Sequence, residues 1–139
     1  MNHATSATHT NFQNTALLLL RVVVAVLFLY HGYMKWGMWS AAPGSMSPGM
    51  LNLLKFLSIV EPVAGVALII GLLTQWAALG LAIIMLGAIY FKTAIFGMGF
   101  AGSQGTGWEF DLMIFAGCIA LMAFGAGCWS VDAMWCKKA

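Results

Sequence analysis

Charge is what this sequence has least of. Its 139 residues include six Lys or Arg and four Asp or Glu, 7% in all, against about 25% in an ordinary soluble domain. So few charges cannot cover the surface of a soluble fold of this length, which excludes a water-soluble globular enzyme. Disorder is excluded as well, because it needs low hydrophobicity and high charge, and 62% of these residues are hydrophobic at a mean hydropathy of +0.91. A formal net charge of +2, scattered along the chain, does not suit a nucleic-acid partner.

Other shortages narrow the chemistry. The three cysteines, Cys118, Cys128 and Cys136, show no Cys-x-x-Cys spacing for a dithiol centre. Cys118 and Cys128 fall about 280° apart around a helix and so do not share a face. His31 is the one histidine inside an apolar stretch, so two helices cannot each supply a histidine to a haem. No glycine-rich phosphate loop precedes a charged helix. His3 and His9 lie in a polar segment, and no metal site is expected there. The ten methionines read as packing material, since a flexible thioether fills gaps between apolar helices.

What the sequence does have is four apolar stretches, at about 15–34, 51–73, 76–96 and 108–127. Each is roughly 20 residues, and a helix of that length spans the hydrocarbon core of a bilayer, about 30 Å. Two of them carry a charge well inside. Glu61 costs about 3 kcal/mol at the centre of a span. The 14 Leu, Ile, Val and Phe between Leu51 and Leu73 each contribute about −0.3 to −0.6 kcal/mol, so insertion wins. The same holds for Arg21, set between Leu20 and Val22 in a run of leucines and valines. The expected fold class is all-α: an integral membrane four-helix bundle with short antiparallel connections. The expected layout is a polar tail at 1–14, one membrane domain at 15–135 and a basic tail at 136–139.

The connections carry turn signals. Pro43-Gly44 and Pro48-Gly49 punctuate the first, Thr74-Gln75 predicts a tight corner, and five glycines loosen the segment 97–107. Trp36, Trp39, Trp76, Trp108, Trp129 and Trp135 flank the spans, where indoles settle at headgroup level. The spacings Gly65 to Gly71 and Gly80 to Gly87 predict close helix contact. The pair Lys137-Lys138 favours cytoplasmic termini, although Lys35, Lys55 and Lys92 then flank the opposite face.

An ionisable group at membrane depth is a functional candidate by default. Arg21 either snorkels to the nearer interface or pairs with a carboxylate inside the bundle. Glu61 is too deep and too short to snorkel, so it is either neutral and hydrogen-bonded or paired. Pro62, next to it, has no N–H and leaves the Ser58 carbonyl without its helical donor. His31 and Lys35 lie four apart on one face near the outer end of the first span. Lys92 closes the third span, and Glu109 and Asp111 open the fourth. The set Arg21, His31, Lys35, Glu61, Lys92, Glu109 and Asp111 is therefore the candidate intramembrane polar site.

These residues, in order, resemble the DoxX family of small four-span bacterial membrane proteins. The likeness covers about residues 16–133. It is carried by Arg21, by Phe28 through Lys35, by Glu61, Pro62, Gly65, Gly71 and Thr74, and by Met85 and Ala88. Gly107, Trp108 and Glu109 continue it, and Gly125 through Asp132 end it. Ala126 stands where the family commonly has proline, and Gln75 where it often has a basic residue. Of the candidate set, Arg21, Lys35, Glu61 and Glu109 match family blocks, whereas His31, Lys92 and Asp111 rest on depth alone. The resemblance implies a bacterial inner (cytoplasmic) membrane protein associated with respiratory, sulfur or oxidative-stress redox systems. The expected partners are the lipid bilayer, other membrane-associated redox proteins and a homo-oligomer of the chain, with quinone as the cofactor such a system implies. An accessory redox subunit is the first functional expectation. A scaffold for partner enzymes and a small transporter or proton pathway are the alternatives.

Overall fold

Within lipid, a backbone must satisfy its own N–H and C=O groups, and a helix does so inside one segment. The computed structural model describes residues 3–42, 44, 46–102 and 105–136, with backbone alone for 3–10 and 135–136, and no strand occurs among them. Helix α1 (His3–Met34) runs into a 3-10 turn (Lys35–Ser40). Helix α2 (Pro48–Ile70) is followed by α3 (Thr74–Tyr90), which continues into a π turn (Phe91–Ile95). Helix α4 (Glu109–Phe124) and the short α5 (Val131–Cys136) complete the chain.

Three segments are long and apolar enough to cross a bilayer: Asn11–Ser40, Pro48–Ile70 and Thr74–Ile95. Their outward side chains, among them Leu19, Val23, Ile59, Val63 and Ile83, are apolar and exposed, as is Met113 on α4. That inside-out surface identifies a membrane protein in contact with lipid. The fourth span, expected over 108–127, is cut to the 16 residues of α4, roughly 24 Å. Gly125, at φ 74°, turns the chain out of the helix. At the other end α1 is helical from His3, where the sequence predicts a loose polar tail. The expected basic tail at Lys137 and Lys138, and the side chains of His3 and His9, lie outside the described residues.

Two turns differ from expectation for identifiable reasons. Pro48-Gly49 opens α2 instead of forming a free turn. Ser47 is the N-cap and its hydroxyl accepts from the Met50 N–H at 3.4 Å, while Pro48 takes the first helical position, where its missing N–H costs nothing. The corner between α2 and α3 lies at Gly71–Leu73, and Thr74-Gln75 is already helix. Gly71 caps α2 in the left-handed region at φ 69°. The Gly71 and Leu72 N–H groups close back on Leu68 and Ala67, a common way to end a helix.

Helix α1 packs chiefly on α2 and α3 on α4, and contacts of α2 with α3 and α1 with α4 close the bundle. The buried core joins Val24, Ala25 and Phe28 to Leu68, Leu81, Met85, Ile114 and Leu121. The α1–α2 seam is tight because glycines sit on it. A Cβ at Gly32 would collide with the Pro62 ring, and one at Gly65 would lie 3.1 Å from the Ala25 carbonyl oxygen. Gly80 and Gly87 do not make the close contact their spacing predicts, since nothing lies within 4 Å of a Cβ built on either. Gly32→Ala is therefore expected to destabilise the bundle by about 1–3 kcal/mol through overpacking. Gly80→Ala should be neutral or stabilising by up to about 1 kcal/mol. Reversible unfolding in mixed detergent micelles measures both.

Candidate functional site

The candidate set divides between two ends of the bundle. Arg21 and Lys35 are about 21 Å apart along α1 at about 1.5 Å per residue. Arg21, 1% exposed, neither snorkels nor forms the expected carboxylate pair. Its Nε donates to Leu68 O at 3.0 Å and one terminal nitrogen to Ile69 O at 3.1 Å. Both terminal nitrogens donate to Trp129 O at 3.1 Å, and one also reaches Ala126 O. All five N–H groups of the guanidinium are thus committed to backbone carbonyls. Those carbonyls exist because α2 ends at Gly71 and α4 ends at Gly125, leaving acceptors with no helical donor.

The segment after α4 is tied to the same place. Asp132 accepts from the Leu73 N–H at 2.7 Å and the Thr74 N–H at 2.9 Å, so it caps α3 from a distant part of the chain and favours its positive end. The Asp132 N–H donates to Gly71 O at 2.9 Å. Gln75 donates to Met122 O at 2.9 Å, and Asn14 accepts from the Cys128 N–H at 3.0 Å. Sequence reading placed Asp132 in a closing motif but gave it no role. Only the non-local α2–α3 corner makes it a cap.

At the opposite end Glu61 is 2% exposed. Its Oε2 lies 2.7 Å from the Nζ of half-buried Lys35, which also donates to His31 O at 3.3 Å. The carboxylate thus takes the paired alternative of the two left open by the sequence. Helix α2 reaches this register because the Pro62 ring fits against Gly32. The Ser58 carbonyl freed by Pro62 accepts from the Trp36 indole N–H at 3.0 Å. Trp39 donates to the Ser58 hydroxyl at 3.0 Å, and the Lys55 ammonium lies 5.4 Å from the Trp39 ring centre. Trp36, Trp39, Ser58, Ile59, Pro62 and Val63 line an open groove of about 530 Å³. The indoles were expected to be interface anchors. Their hydrogen bonds to Ser58 were signalled only by the freed carbonyl.

The remaining candidates gather on α3 and α4 at this end. The π turn is wider than an α turn and carries Lys92. Its Nζ lies 2.6 Å from Asp111 Oδ2 without hydrogen-bond alignment, and it donates to Gly107 O at 3.2 Å. Glu109 Oε2 is buried with no hydrogen-bond partner among the described residues. The His31 Nδ1 lies 2.7 Å from Leu27 O, within reach to donate to that carbonyl. The ring packs 6.1 Å from Phe110, the neighbour of both carboxylates. The structure therefore brings together Lys35 with Glu61 and Lys92 with Asp111, places His31 against α4, and sets Arg21 apart. Among the described residues no three His, Cys, Asp or Glu side chains form a metal-binding group. Cys118 is buried and Cys128 exposed, both free.

The DoxX family model matches residues 16–98, which include Arg21, Lys35, Glu61 and the groove. The chain belongs to the DoxX family. This DoxX chain is 30% identical over 141 residues to the uncharacterized membrane protein Rv3486 of Mycobacterium tuberculosis, a match covering 89% of this chain and 83% of that protein. No solved structure matches it. Glu109, Asp111 and the Asp132 cap lie beyond the part matched by the family model.

Arg21→Leu is expected to strip the Ile69, Ala126 and Trp129 carbonyls of this donor, at about 1–3 kcal/mol each, and to abolish recovery of folded protein from membranes. Arg21→Lys keeps the charge but loses the planar fork, so it should recover an intermediate fraction. Size-exclusion chromatography of detergent extracts distinguishes the three proteins.

Proposed function

We propose that this DoxX protein is an accessory subunit of a membrane redox system that works through a quinone. The observation that carries the reading is the Lys35–Glu61 ion pair, whose chain neighbours help to wall an indole-lined groove. Lys35 and Glu61 each precede a groove residue, Trp36 and Pro62. A slot of mainly apolar lining beside an acid–base pair is the environment a lipid-soluble ring needs.

The residues fit such a group by shape and lining. Trp36 and Trp39, held by their hydrogen bonds to Ser58, would flank the ring. Both indole N–H groups are committed, so Lys55, over the Trp39 ring, is the nearby donor for a ring oxygen. When bound, a quinone supplies two-electron, two-proton carrier chemistry. Glu61 and Lys35, each one residue along the chain from a groove wall, would hold the proton, and Pro62 and Val63 would exclude water. This reading assigns electron delivery to a partner protein. The reading places the protein in a bacterial inner membrane with cytoplasmic termini.

A scaffold role is the second reading. It is favoured by Phe96, Met98 and Phe100, apolar side chains exposed on the segment after the π turn, where a partner could dock.

Titration of the nanodisc-embedded protein with decylubiquinone should quench tryptophan fluorescence saturably, and Trp39→Leu should remove most of that response. In native membranes Glu61→Gln should slow quinone reduction by about tenfold or more, within the range of lost acid–base assistance. Unsaturable quenching together with an unaffected rate would overturn the quinone reading. If partner enzymes are then still captured by crosslinking, and lost on changing Phe96 and Phe100, the scaffold reading stands instead.

A further inference from the structure

A second pocket lies at the Arg21 end, away from the groove and independent of the quinone reading. It has a volume of about 420 Å³, within the range of about 300–1,000 Å³ typical of ligand sites. Its walls are the first turn of α3, the Gly125–Gly127 turn and the start of α5. Thr74, in its wall, is 0% exposed, and its hydroxyl oxygen has no hydrogen-bond partner among the described residues. A buried hydroxyl left unpaired costs about 1–3 kcal/mol, so its presence marks a place where a partner is supplied from outside the chain.

The chemistry of the walls selects that partner. Asp132 is the one charged side chain lining the pocket among the described residues. Each of its oxygens takes a single backbone N–H, and a carboxylate oxygen can accept a second bond. Arg21, behind the Gly125–Gly127 turn, has all its donors committed and offers a phosphate nothing. Trp76 stands exposed at the rim, and an indole face attracts a cation. The pocket sits where α2 ends and α3 begins, at the headgroup level marked by Trp76 and Trp129.

We infer that this pocket binds a primary ammonium group, presented in the membrane by the headgroup of phosphatidylethanolamine. An ammonium has three N–H donors, enough to serve Asp132 and the Thr74 hydroxyl together. A choline headgroup has none, and an anionic headgroup meets Asp132 with the wrong sign.

The test is lipid retention. The full chain is reconstituted in nanodiscs of phosphatidylcholine alone, or mixed with phosphatidylethanolamine or phosphatidylglycerol, and its bound lipids are read by native mass spectrometry beside its melting temperature. Phosphatidylethanolamine should be retained several-fold over the other two and should raise the melting temperature. Thr74→Val fills the same space without the hydroxyl. It should fold as well as the parent in phosphatidylcholine, or better, and lose both effects. Trp76→Leu, at the exposed rim, should weaken retention. Asp132→Asn should abolish it, with Thr74→Val deciding the matter if that variant folds poorly. Ethanolamine added to phosphatidylcholine nanodiscs separates the sources. Stabilisation by the free amine supports the ammonium site with a soluble ligand, and a response to the lipid alone supports the headgroup. Equal retention of the three lipids, preference for phosphatidylglycerol, or an ethanolamine preference that survives Thr74→Val would overturn the inference.

Discussion

A carbonyl oxygen with no donor is the structural problem that a membrane bundle must solve wherever its helices end or break. This chain spends four of its polar side chains on that problem. Arg21 closes the exposed acceptors of α2 and of the segment after α4. Trp36 closes the one opened by Pro62, Gln75 serves Met122, and Lys92 serves Gly107. Asp132 answers the complementary need, the free N–H groups at the start of α3.

That constraint sorts the charges by purpose. Arg21 and Asp132 are accounted for by backbone groups that have no other partner, so the Arg21 end is a clasp. The Lys35–Glu61 pair is different, because neither carboxylate oxygen closes a helix end. Burying such a pair gains little stability, because desolvation offsets the attraction, whereas removing one partner is costly. That imbalance is why the quinone proposal rests on this pair and not on Arg21. Lys92 and Asp111 lie between the two cases: the lysine also closes a loop carbonyl, while the neighbouring Glu109 oxygen is left without a partner.

The spans, the membrane setting and the depth of each charge could be read from the sequence, because they follow from local hydropathy. Pairings could not, because they depend on helix register. Lys35 meets Glu61 only once the Pro62 ring seats on Gly32, a contact between residues far apart in sequence. The missing donor at Ser58 followed from proline chemistry, yet its replacement by Trp36 depended on how the 3-10 turn folds back on α2. The corner was misplaced by a few residues because Asp132 fixes the start of α3 from outside it. Glycine spacing predicts contact at both Gly65 and Gly80 and only Gly65 makes it, since spacing reports a shared helix face and not which way that face points.

The most direct test is the stability of Lys35→Met, Glu61→Leu and the double variant, measured by reversible unfolding in one lipid. If the pair is held for its chemistry, Lys35→Met should lose about 3–5 kcal/mol by stranding the buried carboxylate. The double variant should return to within about 1 kcal/mol of the parent. A double variant as unstable as Lys35→Met alone would contradict this, and would make the ion pair a part of the fold in the same sense as Arg21.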